Sequence, residues 1–77
     1  MELKQILTDI ARAIVDNPDA VNVVENVDGD DVELVLTVAE SDTGMVIGRH
    51  GRIAKAIRQV MKAAANTANK RVTVEIK

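Results

Sequence analysis

The chain has 77 residues, of which 47% are hydrophobic, and contains no cysteine; we expect a single small domain, residues 1–77, held together by packing alone. Its aromatic fraction is 0%, which argues against domains that stack nucleobases on exposed rings. No apolar run approaches the roughly 20 residues that span a bilayer, and the first residues lack the pattern of a signal peptide. We therefore expect a cytoplasmic protein without a membrane partner.

The formal net charge of −2 conceals an uneven distribution along the chain. Residues 1–44 carry two basic and eleven acidic side chains, a net −9, whereas residues 45–77 carry eight basic and one acidic, a net +7. A polyanion responds to the local patch rather than to the total charge. The segregation is compatible with a nucleic-acid-binding surface, and equally with an ordinary solvated surface.

The first predicted element is an amphipathic helix over residues 2–16. Its apolar residues recur at helical spacing and form one face, which consists of Leu3, Ile6, Leu7, Ile10, Ala13 and Ile14. Pro18 ends this helix, because a proline disfavours helical conformation at the residue before it. A β-hairpin follows, with its tight turn at Asp28-Gly29-Asp30.

The second strand of the hairpin shows a clean alternation of apolar and polar residues. Its inward-facing residues are Val32, Leu34, Leu36 and Val38. Glu33, Val35 and Thr37 point to the opposite face. An apolar residue on that face, such as Val35, either belongs to a binding surface or simply covers the sheet.

Two further helices and a strand complete the predicted order α-β-β-α-α-β. Ser41 or Asp42 is expected to cap a short helix that runs to Ile47, and Gly48 ends it because glycine readily takes the left-handed conformation there. The next helix begins at Arg52. Its apolar side is predicted to hold Ile53, Ile57, Val60, Met61, Ala64 and Ala68, and its basic side Arg52, Lys55, Arg58 and Lys62. The last strand spans residues 70–77, with inward residues Val72, Val74 and Ile76.

The segment Gly48-Arg49-His50-Gly51 lies between these two helices. Two glycines three positions apart let the backbone turn sharply without a β-carbon, so that a sugar-phosphate chain can lie against the main chain. The free N–H groups and the positive dipole end of the following helix face the same place. Arg49 and Arg52 add charge and His50 adds a hydrogen-bond donor, which supplies affinity without base specificity.

This region resembles the KH domain in its prokaryotic arrangement, in which a helix and a strand precede a β-α-α-β core. The stretch that carries the resemblance is Val46-Ile47-Gly48-Arg49-His50-Gly51-Arg52-Ile53-Ala54-Lys55-Ala56-Ile57-Arg58. The chain is similar in particular to the bacterial single-domain KH proteins of the KhpA family, over essentially all of its length. The resemblance implies an α+β fold, with a three-stranded mixed sheet packed against three helices.

The resemblance also implies a groove that holds about four unpaired RNA nucleotides. The residues expected on the RNA backbone are Gly48, Arg49, His50, Gly51, Arg52 and Lys55. Ile47 would form an apolar floor under the bases, and Val35 and Thr37 the opposite wall. Many KH loops carry lysine or glycine at the two variable positions, so Arg49-His50 is a departure, although it retains charge.

Members of this family are associated with self-pairing, with a second KH-containing protein of the Jag/EloR type, and with cell shape. The resemblance therefore implies a homodimer that acts as a post-transcriptional regulator or RNA chaperone. From the residues alone, the run Ala63-Ala64-Ala65 is first a good helix former, and its small side chains also allow a second chain to approach closely.

Simpler interpretations apply to other residues. Arg58 and Lys62 lie further from the loop and are expected to belong to a solvated helix face. Catalysis is not expected, because Ser41 and His50 lack an orienting partner. No spacing predicts a metal or cofactor site. Two functions remain open: an RNA-binding module, and a protein-interaction or dimerisation module that keeps the KH fold without using its groove.

Overall fold

The computed structural model describes residues 2–77. Within that range the helices and strands are α1 (Leu3–Ile14), β1 (Asn22–Asp28), β2 (Asp31–Thr37), α2 (Thr43–Ile47), α3 (Arg52–Thr67) and β3 (Arg71–Ile76). Single 3-10 turns occupy Pro18–Ala20, Glu40–Asp42 and Arg49–Gly51. The predicted α+β class and the order α-β-β-α-α-β are confirmed, with α1 shorter than the predicted span of 2–16.

The sheet has the strand order β1-β2-β3 and is mixed, as predicted. β1 and β2 pair antiparallel, with Asp28 opposite Asp31 across a two-residue turn in which Gly29 has a φ of +61°. β2 and β3 pair parallel, with Leu34 opposite Val74. A parallel pair requires a crossover connection, and here α2, α3 and the loop between them form it.

The helices cover one face of this sheet and enclose a continuous apolar core. Leu34 and Leu36 of β2 are fully buried beneath Leu7, Val46 and Met61, which come from the three helices. The predicted inward residues of β2 are all buried. Because side chains alternate along a strand, the other face of the sheet points to solvent.

The buried side of α3 differs from the prediction. The buried residues are Ala54, Ile57, Met61 and Ala65, at spacings of three and four. Ile53 and Val60, which were predicted to face the core, are 37% and 52% exposed. They lie seven residues apart on the side of α3 that faces α1. The sheet covers only the centre of the apolar face of α3, so this side stays partly exposed.

The prediction that Asp42 caps α2 through its side chain is wrong. Asp42 is only 1% exposed, and its carboxylate accepts hydrogen bonds from the backbone N–H of Asn17 at 2.9 Å and from the Nδ2 of Asn17 at 3.0 Å. A buried carboxylate requires such donors. The contact ties the chain just after α1 to the start of α2, and its partner lies 25 residues away in sequence.

Candidate nucleic-acid interface

Gly48 stands where the chain leaves α2 and enters the loop. Its N–H donates to the carbonyl of Gly44 at 2.8 Å, which closes the last turn of α2. Its φ of 76° and ψ of 172° differ from the predicted left-handed helical values and fall in a region that essentially only glycine occupies. A β-carbon at this position would lie 2.6 Å from Cγ1 of Ile53, so both the backbone and the packing require glycine.

The second half of the loop is left-handed. His50 has φ 58° and ψ 23°, and Gly51, the N-cap of α3, has φ 73° and ψ 16°. The Gly51 N–H donates to the carbonyl of Gly48 at 3.1 Å and closes the turn. A non-glycine residue in this conformation costs roughly 1–2 kcal/mol, and such strain is concentrated at functional sites.

The start of α3 is open and basic. Gly51 offers no side chain to its first turn, and that turn holds no acidic residue. Arg49, Arg52 and Lys55 are exposed on the loop and on the first turn. Uncapped N–H groups and the positive helix dipole favour anions at this position.

The ion pairs found in residues 2–77 lie at the other end of α3. Lys70 pairs with Asp30 at 3.3 Å, and Arg71 pairs with Asp31 at 2.8 Å. The basic side chains at the loop therefore remain available to a ligand. Arg58, which was expected to be only solvated, donates its Nε to the Val74 carbonyl at 3.1 Å and so has a structural contact on β3.

The structure brings most of the predicted site residues together, but not all of them. Ile47 is 37% exposed and directly precedes Gly48, so it lies beside the loop and the first turn of α3. Val35 and Thr37 lie on the face of the sheet opposite the helices, where they pair with Val24 and Asn22 of β1.

An apolar cleft between α1 and α3 was not predicted from the sequence. Its volume is about 420 Å³, and its lining residues are Ile10, Ile14, Arg52, Ile53, Ala56, Ile57 and Val60. The only signal for it was the recurrence of Ile53 and Val60 seven residues apart, which was interpreted as part of the core. The alanine run offers less surface, since Ala65 is buried in the chain's own core.

Comparison with known proteins shows the family of the chain. The family model described as "KhpA/KhpB, KH domain" matches residues 4–76. The chain belongs to this KH-domain family. The match includes the whole loop and both helices that flank it, so the resemblance inferred from residues 46–58 is confirmed.

Several bacterial members of the KH family are similar over nearly their full length. RNA-binding protein KhpA of Clostridium acetobutylicum is 55% identical over 96% of this chain and 99% of its own. The protein of the same name from Clostridium perfringens is 49% identical over 96% and 99%. That of Bacillus subtilis is 40% identical over 96% and 91%.

A solved structure shows the same KH fold within a larger protein. The chain superposes with a TM-score of 0.71 on Era, in a crystal structure of Era with MgGDPNP and nucleotides 1506–1542 of 16S ribosomal RNA. The match covers 96% of this chain but only 28% of the Era chain, at 19% identity. At that identity the likeness concerns the fold.

In the described part of this chain, no helix has the length and apolar character needed to cross a membrane.

Proposed function

We propose that the chain binds single-stranded RNA and that the loop Gly48-Arg49-His50-Gly51 holds the backbone of about four nucleotides. The observation that carries the proposal is the loop geometry: two glycines with positive φ bracket two exposed side chains at the open end of α3. The names of the relatives, which describe RNA-binding proteins, support RNA as the ligand.

In this proposal the phosphates lie against the first turn of α3. The backbone N–H groups there donate to phosphate oxygens, while Arg49, Arg52 and Lys55 supply charge. Ile47 contacts a base from below. Val35 and Thr37 would contact only RNA that reaches the outer face of the sheet, so we assign the clamp to residues 47–52 and Lys55. With no aromatic rings, one copy would bind in the roughly 10⁻⁴ to 10⁻⁶ M range of electrostatic contacts.

The test is the double substitution Arg49→Asp and His50→Asp. Aspartate tolerates the left-handed conformation of position 50, so the fold should persist by far-UV circular dichroism. We expect binding of a fluorescein-labelled single-stranded RNA, followed by anisotropy, to weaken at least about tenfold, since several phosphate contacts are lost or become repulsive. The label belongs on the RNA because the protein has no aromatic residue.

A matched control is the pair Gln59→Asp and Lys62→Asp. Both residues are exposed on α3, away from the loop, and the pair changes the net charge by the same amount. We expect little loss of affinity. Equal losses in both double variants would indicate a diffuse charge effect, and wild-type binding by the loop variant would refute the clamp.

A second function, pairing of two copies, is favoured by the α1–α3 cleft. Contiguous exposed apolar surface on a small protein marks an interaction site, and a two-fold dimer requires only one such surface, used by both copies. We infer that the flank holding Ile53 and Val60 pairs with itself. A KH-containing partner of the Jag/EloR type is the competing occupant.

Sedimentation velocity of Val60→Asp tests the pairing. We expect the wild-type chain to form dimers and the variant to sediment as single copies, because a charge cannot be buried in an apolar contact without a large penalty. Val24→Asp is the control, since Val24 is a similarly exposed valine on the outer face of the sheet. Single copies of the wild type at all concentrations would refute self-pairing.

Two clamps on one dimer would engage a long RNA at two points and so raise the apparent affinity. On this basis we propose a post-transcriptional regulator or RNA chaperone that works as a dimer in the cytoplasm. Crosslinking of wild-type and Arg49→Asp/His50→Asp proteins to cellular RNA tests this role. RNAs that depend on the loop should be lost from the variant.

A further inference from the structure

Ile53 occupies a position shared by the loop and the cleft. It follows Arg52 in the first turn of α3, and its side chain lies directly over the α-carbon of Gly48. A β-carbon on Gly48 would lie 2.6 Å from Cγ1 of Ile53, and 2.9 Å from its Cβ and from its Cδ1. The loop entrance therefore rests against this one side chain.

Gly48 takes part in the hydrogen bonds that close both α2 and the loop after it. Its N–H bonds to Gly44 and closes α2, and its carbonyl accepts the hydrogen bond from Gly51 that closes the loop. A shift at Gly48 therefore moves the end of α2 and the residues between the two glycines together. A side chain packed on Gly48 restricts where Arg49 and His50 can lie.

The same Ile53 side chain is part of the cleft surface. It lines the cleft together with Val60 and with Ile10 and Ile14 of α1, and it is 37% exposed. Branching at Cβ fixes χ1 of an isoleucine in a helix, so the freedom left to a part-exposed Ile53 is at χ2, which places Cδ1. A surface that covers the cleft would hold Ile53 in the rotamer that packs on Gly48.

We propose that Ile53 is a positioning residue that couples the cleft to the RNA loop, so that covering the cleft with a second copy tightens RNA binding. The inference rests on the proposed clamp and on self-pairing, and adds a link between them. Linkage requires the reverse effect as well: RNA should strengthen pairing by the same factor.

The first test compares Ile53→Ala with Val60→Ala. Both shorten a side chain of the cleft, but only Ile53 touches Gly48. At protein concentrations where sedimentation shows single copies, we expect Ile53→Ala to bind labelled RNA about fivefold more weakly than wild type, at the low end of coupling between sites. Val60→Ala should bind like wild type. Equal affinities for the two variants would overturn the proposal.

Ile53→Val separates positioning from a general loss of structure. Valine retains the Cβ and a γ-carbon over Gly48, so RNA affinity should return to within about twofold of wild type. The amide NMR signals of Gly48 and Gly51 give a readout without RNA. They should shift in Ile53→Ala and stay in place in Val60→Ala; unchanged glycine signals in both would overturn the proposal.

The second test measures linkage in the wild-type chain with an RNA too short to reach two loops. Above the concentration at which pairs form, we expect its affinity to rise about fivefold, and RNA to favour pairing by the same factor. An affinity that does not change on pairing would overturn the coupling.

The loop variant distinguishes this inference from the proposed function. If Arg49→Asp/His50→Asp binds RNA like wild type, the clamp fails and the coupling to it fails as well. If that variant loses RNA but Ile53→Ala retains it, the clamp stands and only the coupling fails.

Discussion

The basic residues near the two ends of α3 are used in opposite ways. At the end near β3, Lys70 and Arg71 pair with Asp30 and Asp31 of the hairpin turn, so positive charge joins two parts of the fold. At the loop end, Arg49 and Arg52 extend into solvent without such a pair in residues 2–77. The net charge of +7 on residues 45–77 therefore overstates the charge available for binding, because part of it is already used in ion pairs within the fold.

The two glycines of the loop give the largest expected effect. Gly48→Ala should destabilise the fold by about 2–4 kcal/mol, because alanine is strained in this backbone region and its β-carbon collides with Ile53. Gly51→Ala meets open space and should cost only about 1 kcal/mol for its left-handed conformation. Urea denaturation followed by circular dichroism measures both, and similar losses would contradict the role given to Ile53.

The hydrogen bonds between Asn17 and Asp42 give the next largest expected effect on stability. Asp42→Ala should cost about 1–3 kcal/mol, because it removes the buried acceptor of two hydrogen bonds from Asn17, which itself is exposed on its other side. Asp9→Ala is the control, since Asp9 is exposed and accepts only from Gln5. A loss at position 42 no greater than at position 9 would show that water replaces the carboxylate easily.

Removing one positive charge from α3 at the loop, and one from the start of β3 near the other end of α3, tests the comparison directly. Arg52→Ala should weaken RNA binding severalfold and lower the salt dependence of the affinity by about 0.7 in log–log slope, as expected for one lost phosphate contact on a single strand. Arg71→Ala should leave both unchanged. Anisotropy titrations at a series of salt concentrations measure the slope, and equal slopes in the two variants would remove the distinction between the ends.

The smallest expected effect concerns stability at the paired end. Arg71→Ala should change the free energy of unfolding by no more than about 0.5 kcal/mol, because an exposed ion pair contributes little. Raising the salt concentration should leave even this difference undetectable. A larger loss would mean that the pair with Asp31 holds the hairpin turn against β3.

Local patterns were sufficient to predict most of the fold. The alternation in β2, the glycine turn and the helical spacing in α1 each depend on neighbours within a few residues. The turn and the inward residues of β2 were predicted correctly, and α1 was predicted as a helix. Ala13 was wrongly placed on the apolar face of α1, since it is exposed and Ala11 is buried instead. Asp42 was assigned wrongly because its partner is distant in sequence, while its residue type fits a cap. Ile53 and Val60 were misplaced because hydrophobicity alone does not tell which part of an apolar stripe another helix covers.

The loop of the candidate site was predicted from the sequence, but the extent of the site was not. Two glycines at this spacing indicated the loop, but the sequence could not show that they differ, one in a conformation restricted to glycine and the other left-handed beside free space. Val35 and Thr37 followed from the family resemblance. Their face relative to the helices follows from the alternation of β2, but their distance from the loop depends on tertiary packing.

The parallel pairing of β2 with β3 bears on when the clamp can form during synthesis. The hairpin needs only residues close in sequence and can form early, whereas β3 joins the sheet after the entire crossover. The loop lies within that crossover, and α3 packs onto β3, with Ile57 and Val74 in the same buried core. A nascent chain from which β3 has not yet emerged would thus hold the glycines and arginines of the proposed clamp without the support that orients them. The ability to capture RNA would arise only after β3 has joined the sheet.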